Sequence, residues 1–222
     1  MLRGERWEHR AKRMSLPLDI VETVHNATDS ELPKAVELLR REVQNTYKSL
    51  EPYMESTKSA FQNSWDEIIA DFSDLIEEKT STWFYDEYIC NITNYNPGLS
   101  NWNGNVIGRW WKENAYLQRR ITAHEILLAH YFSIHRNNYK ESGLSDKQIW
   151  ALAEISSFAL TGLDADIRKF WIWDTSEYYT DHNYPELVEL QNALKEPFIN
   201  RRSFDEYIEK GIKLVKQMYN PQ

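Results

Sequence analysis

The chain is poor in the residues that build disulfides, loops and membrane spans. Its 222 residues include one cysteine, Cys90, with seven glycines and seven prolines. A single cysteine excludes an internal disulfide framework and is typical of a reducing compartment, so we expect a cytoplasmic protein. No segment approaches the ~18 consecutive apolar residues of a transmembrane helix, and we expect no membrane partner. The basic N-terminus is followed by no apolar run, which argues against a secretory signal.

Positive charge is also scarce. Lysine and arginine number 26 against 34 aspartates and glutamates, which gives a net charge of −8. Because a nucleic-acid backbone is bound by a basic face, this balance disfavours a nucleic-acid partner. The exception is the N-terminus, where the first 13 residues hold Arg3, Arg6, Arg10, Lys12 and Arg13. We predict a solvated basic arm or helix over residues 1–27, and a contact with an acidic partner is the alternative.

Turn-forming residues concentrate in two stretches. Residues 91–105 hold six asparagines together with Pro97, Gly98 and Gly104. Asparagine and glycine accept turn conformations that other residues resist, so this stretch is predicted to be the main loop and a candidate subdivision of the domain. Residues 173–185 form a second, polar and aromatic loop that ends in Pro185.

The remaining chain has helical periodicity. Apolar residues step by three and four from Phe61 to Ile76, which predicts one amphipathic helix, and a shorter helical segment follows around Trp83. Pro52 is expected to end or kink the helix before it. A further helix is predicted to begin at Val106 or Ala115 and to run to residue 136. We find no alternating strand pattern of useful length.

Two capping boxes mark helix starts later in the chain. Ser145 with Gln148 predicts a helix over about 146–160, and Ser203 with Glu206 predicts one over 203–218. The hydrophobic content of 41% suffices for a real core. We therefore predict an all-α fold, a single compact helical domain of about eight helices over residues 28–222, with one Asn-rich loop and one aromatic loop.

Tryptophan, in contrast, is abundant, with nine residues. Trp110 and Trp111 are adjacent and cannot both face one core. Tryptophan and tyrosine beside Asp, Asn and His are typical of sites that stack on a sugar or base, and of protein interfaces. The alternative is a loop folded over the end of the helical core. The candidate ligand-binding residues are Trp110, Trp111, Glu154, Trp171, Trp173, Tyr178, Tyr179, Asp181 and His182.

A helix whose side chains could bind a metal or act as acid or base lies between the aromatic stretches. Ala123-His124-Glu125, followed 29 residues later by Glu154, resembles the layout of gluzincin metalloproteases. The resemblance implies that His124 and Glu154 hold zinc and that Glu125 is a general base. The chain departs from the family at Leu128, where a second histidine ligand is expected, which leaves a degenerate, inactive relative as one option. The alternative is a hydrogen-bonded histidine on a mostly apolar stripe.

The same helix has an Arg-x4-His spacing, from Arg119 to His124. This spacing resembles the signature of HEPN-type ribonucleases, which are all-helical. The resemblance implies that both side chains face a scissile phosphate, usually across a homodimer. The alternative places Arg119 and Arg120 on the solvated face of the helix.

Glu154 is flanked by Trp150 and Phe158 at four residues on either side, so we expect its carboxylate to be partly buried. A buried carboxylate is expected to be paired with a cation, for which Arg119, Arg120 and Arg168 are the candidates. A structural ion pair is one interpretation, and an acid in a pocket is the other.

Three functional hypotheses follow. The first is a binding or regulatory module that uses an aromatic-lined pocket or surface for a small molecule or a protein, and it ranks first because it needs no complete catalytic set. It predicts at least two tryptophan rings exposed in a concave patch. The second is a zinc-dependent hydrolase that needs a third ligand, such as His130, His135 or His182. The third is a helical ribonuclease.

Overall fold

A computed structural model describes residues 7–13, 16–94, 99–100, 104–172 and 185–219. The fold-class prediction of a compact, all-α helical domain is confirmed, because these ranges contain eight α-helices. The helices are α1 (Trp7–Arg13), α2 (Leu18–Asn26), α3 (Leu32–Asp66), α4 (Ile69–Thr80), α5 (Arg119–Asn138), α6 (Asp146–Leu163), α7 (Val188–Ile199) and α8 (Phe204–Met218). Short 3₁₀ helices cover Lys140–Ser142, Ile167–Trp171 and Pro185–Leu187.

A small sheet is built from residues within and beside the Asn-rich stretch, where only a loop was expected. Its strands are β1 (Ile89–Thr93), β2 (Leu99–Ser100) and β3 (Val106–Trp110). The central strand β3 pairs parallel with β1 and antiparallel with β2. The prediction of no strand, and of a helix beginning as early as Val106, is therefore wrong. The strands are too short to give a clear alternation, and their pairing depends on partners distant in sequence.

The helical prediction also needs correction between residues 52 and 88. Helix α3 runs through Pro52 and does not end there. The amphipathic stretch 61–76 is two helices, because α3 ends at Asp66 and α4 begins at Ile69. Ser81 adopts a left-handed φ of 63° and terminates α4. The chain from residue 82 to residue 88 is irregular, so the short helix predicted around Trp83 is wrong.

The capping box predicted at Ser145 is confirmed, and the one predicted at Ser203 is present only in its serine half. The Ser145 hydroxyl accepts from the backbone N–H of Gln148, whose side chain accepts from the Ser145 N–H, so both halves of a capping box are present. The Ser203 hydroxyl accepts from the backbone N–H of Glu206. These contacts fix where α6 and α8 begin, because they satisfy N–H groups that the helix itself leaves without partners.

Helices α5 and α6 form the centre of the core. Every residue from Thr122 to His135 in α5 is buried, and so is every residue from Ala151 to Gly162 in α6. Helices α7 and α8 pack on α6, the sheet packs against α5, and α4 contacts α3, α8 and the 3₁₀ helix Ile167–Trp171. A helix buried all round is normally apolar, yet α5 brings arginines, histidines and a glutamate into this core.

The N-terminal helices form a second, smaller hydrophobic cluster. Val24, Ala27 and Ala35 bury their side chains between α2 and α3, and Leu32 and Leu39 pack against them. From residue 36 to residue 53, α3 contributes no buried residue. Over the described part of the chain, no helix combines the length and the apolar character needed to cross a membrane.

Candidate functional site

A buried polar centre, formed by His124, Glu154 and Ser157, lies between α5 and α6. His124 Nδ1 is 2.8 Å from Ser157 Oγ, and its Nε2 is 3.1 Å from Glu154 Oε2. Glu154 and Ser157 are three residues apart and therefore share one face of α6. The Phe158 ring covers the imidazole, with 4.2 Å between the ring centroids. The expectation that Glu154 is buried is confirmed, and the partner the structure gives it is His124.

The hydrogen bonds between Ser157 and His124 fix two of the protons of this centre. The Ser157 hydroxyl donates its only proton to the His124 backbone carbonyl at 2.8 Å, because a carbonyl cannot donate. Ser157 Oγ must then accept from His124 Nδ1–H. This arrangement is not that of a hydrolase triad, because the serine proton points away from the imidazole and the hydroxyl is buried. The geometry is that of a closed network that joins two helices.

The zinc ligand set suggested by the sequence is brought together only in part. His124 and Glu154 meet, but they contact each other directly. His130 Nε2 lies 3.0 Å from Thr80 Oγ1, and His135 Nε2 lies 3.1 Å from Ser142 Oγ, so both histidines face other neighbours. Among the described residues, no group of three His, Cys, Asp or Glu side chains is placed to hold a metal ion. His182 lies outside them, and Glu125 is buried in α5.

Arg119, the residue suggested for phosphate contact, is an internal structural residue. Its guanidinium binds the Glu67 carboxylate at 2.7 Å, the Ser64 carbonyl at 2.8 Å and the Ser64 hydroxyl at 3.1 Å. The hydrogen bond from Arg119 is the largest cause of a lowered pKa at Glu67. Arg119 and Arg120 are both buried, so the alternative that placed them on a solvated face is wrong.

The aromatic residues suggested by the sequence do not gather into one described site. Trp171 is a core residue, and its Nε1 donates to the Thr161 carbonyl at 3.1 Å. Trp173, Tyr178, Tyr179, Asp181 and His182, with the predicted aromatic loop, lie outside the described residues.

Trp110 and Trp111 lie where β3 ends, and both are half-buried. Trp111 Nε1 donates to Asn94 Oδ1 at 2.8 Å, and the Lys112 ammonium lies 5.2 Å from each ring centroid. Of the seven tryptophans in the described ranges, six are half-buried and one is buried, so the predicted patch of exposed tryptophan rings is not found there.

Instead, a different set of rings lines a cavity, which we call the aromatic cleft. It has a volume of about 410 Å³ and lies between α3, α4, the irregular segment 82–88, the sheet and α5. Its aromatic lining consists of Phe61, Trp65, Trp83, Tyr85 and Tyr88. Sequence reasoning assigned Trp65 to the core stripe of a helix and Trp83 to a short helix, and so missed this site. The run Trp83-Phe84-Tyr85 in a segment without clear periodicity was the available signal.

The rings of the cleft are fixed by one another and by the core behind them. The centroid of Tyr88 lies 5.4 Å from that of Trp83 and 5.4 Å from that of Tyr85. Trp83 also packs against the buried His130 ring, at 5.5 Å between centroids. Tyr85 Oη is tied to Ser133 Oγ at 3.1 Å. The wall formed by Trp83, Tyr85 and Tyr88 is therefore held in place from behind.

Two buried polar atoms of the cleft residues lack a hydrogen-bond partner in the described part of the chain, Trp65 Nε1 and Tyr88 Oη. Burial raises the pKa of Tyr88, with a smaller contribution from Tyr85, so the phenol stays neutral. Burial also raises the pKa of the Cys90 thiol to about 11, which makes Cys90 a packed thiol and not a nucleophile.

No protein-family model, curated protein or solved structure matches this chain. Function therefore has to be inferred from the polar centre and the aromatic cleft themselves. The polar centre is sealed and internally bonded, whereas the cleft opens to solvent and is lined by side chains that suit a ligand.

Proposed function

We propose that the protein is a binding or regulatory module that takes a small organic molecule into the aromatic cleft. The observation that supports this most is a cavity of about 410 Å³ whose aromatic lining includes two side chains with unpartnered buried polar atoms. Ligand sites commonly have volumes of roughly 300–1,000 Å³, with apolar walls and a few polar groups that orient the ligand. The sequence also favours a binding module, but the aromatic residues of the proposed site are not those that the sequence suggested.

Both unpartnered atoms are closed to solvent, so a ligand in the cleft reaches them only where the packing around them opens. A buried polar atom without a partner costs about 1–3 kcal/mol, and a ligand that supplies the partner recovers part of this cost. Trp65 Nε1 can only donate, and so it calls for an acceptor on the ligand. Tyr88 Oη can donate or accept. A ligand with a flat apolar body and one or two polar atoms would fit both requirements.

A larger groove, of about 660 Å³, lies between α2 and α3 and is less suited to this function. Its lining among the described residues contains no aromatic ring. Glu37 and Arg41 line it and form an ion pair at 3.1 Å, so these charges already satisfy each other. We therefore assign the ligand to the aromatic cleft.

The test uses the indole N–H resonances of isotope-labelled protein, with tryptophol as a neutral aromatic probe. Trp65→Phe identifies the Trp65 resonance by its loss. We expect tryptophol to shift the Trp65 Nε1–H downfield, because a new hydrogen bond deshields it, and we expect Trp65→Phe to weaken binding. Trp150→Phe is the matched control, since Trp150 is half-buried outside the cleft. Tryptophol binding that leaves the Trp65 resonance in place would overturn the proposed site.

A zinc-dependent hydrolase is the second candidate, and the contact between His124 and Glu154 is the observation that favours it. Zinc would have to replace that contact and recruit a further ligand. Near-stoichiometric zinc in the purified protein, with a lower melting temperature in EDTA, would support this candidate. Absence of both would reject it. The ribonuclease has no comparable support, because Arg119 is bonded to Glu67 and Ser64.

A cytoplasmic setting belongs to the same proposal. The single cysteine supports it, because a half-buried, protonated thiol suits a reducing compartment. Localisation of a tagged full-length chain by fluorescence microscopy tests this part independently of ligand binding.

A further inference from the structure

We infer that the aromatic cleft selects an organic cation, an ammonium group carried on an aromatic or apolar body. This inference rests on the proposed function and adds the chemical class of its ligand. It combines three properties of the same cavity, namely the charge at its rim, the ring faces in its wall and the hydrogen-bonding atoms that lack partners.

Negative charge predominates at the rim of the cleft. Asp66, Asp86 and Glu87 line it, against the single cation Lys58. The Lys58 ammonium lies 3.3 Å from Glu55, so its charge is already partly neutralised. The side chains of Asp86 and Glu87 are exposed and form no ion pair within the described residues. A cation entering the cleft would therefore gain attraction from these carboxylates, and an anion would be repelled.

No cation of the described residues lies over the Trp83, Tyr85 or Tyr88 ring in the wall of the cleft. Trp83 is tilted by 55° from the Tyr88 ring, and Tyr85 by 76°, so the faces point in different directions. A cation is attracted to the face of an aromatic ring, most strongly to tryptophan, and several rings at different angles are the usual way to recognise an ammonium group. Elsewhere in the protein this interaction is used internally, as with Lys112 over Trp110.

The unpartnered atoms agree with the same ligand class. Tyr88 stays neutral because burial raises the pKa of its phenol, and Oη can then accept a hydrogen bond from an ammonium N–H. Trp65 Nε1 would donate to an oxygen or to the π face of an aromatic body on the ligand. A carboxylate ligand would also satisfy Trp65, but it would have to approach Asp66, Asp86 and Glu87. The charge at the rim thus decides between two ligands that the hydrogen bonds alone would allow.

A matched series of indoles tests the inference by calorimetry on the full chain at low ionic strength. Tryptamine is cationic at neutral pH, tryptophol is its neutral analogue, and indole-3-acetate is anionic. We expect tryptamine to bind about tenfold tighter than tryptophol, since attraction to the rings and the carboxylates adds to the apolar contact. We expect no measurable binding of indole-3-acetate. Added salt should weaken tryptamine binding and leave tryptophol binding unchanged.

The double variant Asp86→Asn/Glu87→Gln tests the rim. We expect the ratio of tryptamine affinity to tryptophol affinity to fall about fivefold, because two attractive charges are removed at unchanged shape. The matched control is Glu141→Gln/Glu209→Gln, which removes two exposed carboxylates outside the cleft and makes the same change in net charge. The control should keep the wild-type ratio.

The outcomes separate this inference from the proposed function. Equal binding of tryptamine and tryptophol, with a shifted Trp65 indole resonance, would overturn the cation inference and leave the binding module in place. Tighter binding of indole-3-acetate than of tryptamine would do the same. Failure of all three indoles to shift the Trp65 resonance would overturn both. A preference for tryptamine that both double variants reduce equally would reject the rim as its origin and overturn the inference.

Discussion

The polar centre and the aromatic cleft differ in whether their buried polar atoms have hydrogen-bond partners. In the polar centre, both ring nitrogens of His124 have partners, Ser157 on one side and Glu154 on the other. In the cleft, Trp65 Nε1 and Tyr88 Oη have none within the described residues. Buried polar groups are paired in most folds, so a paired group is typical of structural work and an unpaired one calls for an explanation. Ligand binding is the explanation we propose for the cleft.

The most severe test of this contrast is His124→Leu. It removes the partner of a buried carboxylate whose side chain is 7% exposed. Loss of one member of a buried pair costs about 3–5 kcal/mol, and we expect that loss in the free energy of unfolding measured with urea. The double variant His124→Leu/Glu154→Leu is the control, and it should recover part of the stability because no buried carboxyl group is left without its partner. A cost below about 1 kcal/mol for the single variant would contradict a structural role.

Ser157→Ala tests the other side of the same imidazole. The substitution deletes the acceptor of His124 Nδ1–H and should destabilise the protein by about 1–3 kcal/mol, the cost of a buried donor without a partner. Urea unfolding again gives the value. Ser59→Ala is the comparison, because the exposed Ser59 hydroxyl bonds only the Glu55 carbonyl of its own helix and its removal should cost less. Equal costs would show that the His124 contact adds nothing.

His130 lies behind the cleft and is an intermediate case, with Nε2 bonded to Thr80 and Nδ1 unpartnered among the described residues. Burial lowers its pKa from 6.5 to about 3. The folded protein therefore stays neutral at His130 while the unfolded chain takes up a proton, and stability is lost as the pH falls below the unfolded value. We expect this site to contribute about 2 kcal/mol of that loss between pH 7 and pH 5.

The measurement for His130 is the slope of unfolding free energy against pH. His130→Gln keeps a hydrogen-bond donor but does not titrate, so its slope between pH 7 and pH 5 should be shallower than that of the wild type. His9→Gln, at an exposed position on α1, should keep the wild-type slope. A His130→Gln slope equal to that of the wild type would mean that His130 is protonated in the fold.

Tyr88→Phe should have the smallest effect on stability and the opposite sign. It removes a buried hydroxyl without a partner, so we expect unfolding free energy to stay constant or to rise by up to about 1 kcal/mol. Tryptamine affinity should fall at the same time. Tyr85→Phe is the control, because it breaks the hydrogen bond to Ser133 and should lower stability. A destabilised Tyr88→Phe protein would show that Oη has a partner and would remove part of the case for the cleft.

The fold was predictable where the determinants are local. The Ser145 capping box predicts the start of α6 from local sequence, because both of its hydrogen bonds join residues three apart. The sheet was not predictable. Strand β1 pairs with β3, which lies 17 residues later in the sequence, and each strand is only five residues long. The break between α3 and α4 could not be predicted from the apolar periodicity. The apolar stripe continues across it through the buried Ile68, so periodicity alone gives no sign of the gap.

The sites were predictable only in part. The sequence suggested that His124 and Glu154 belong together, and the structure brings them into contact, but the serine that completes the centre lies 33 positions from His124 and has no motif of its own. The aromatic cleft was missed because Trp65 has the spacing of a core residue. Whether an indole N–H finds a partner depends on the tertiary packing around it, and no sequence pattern encodes that.

The length and exposure of helix α3 also affect how the protein unfolds locally. Its 35 residues extend about 52 Å, yet residues 40–53 contribute nothing to either hydrophobic cluster. Opening this middle turn by turn would expose little apolar surface, so its local unfolding costs far less than global unfolding. A protease that cut within residues 40–53 would separate the α2–α3 cluster from the rest while leaving the aromatic cleft, the polar centre and the main core on one fragment.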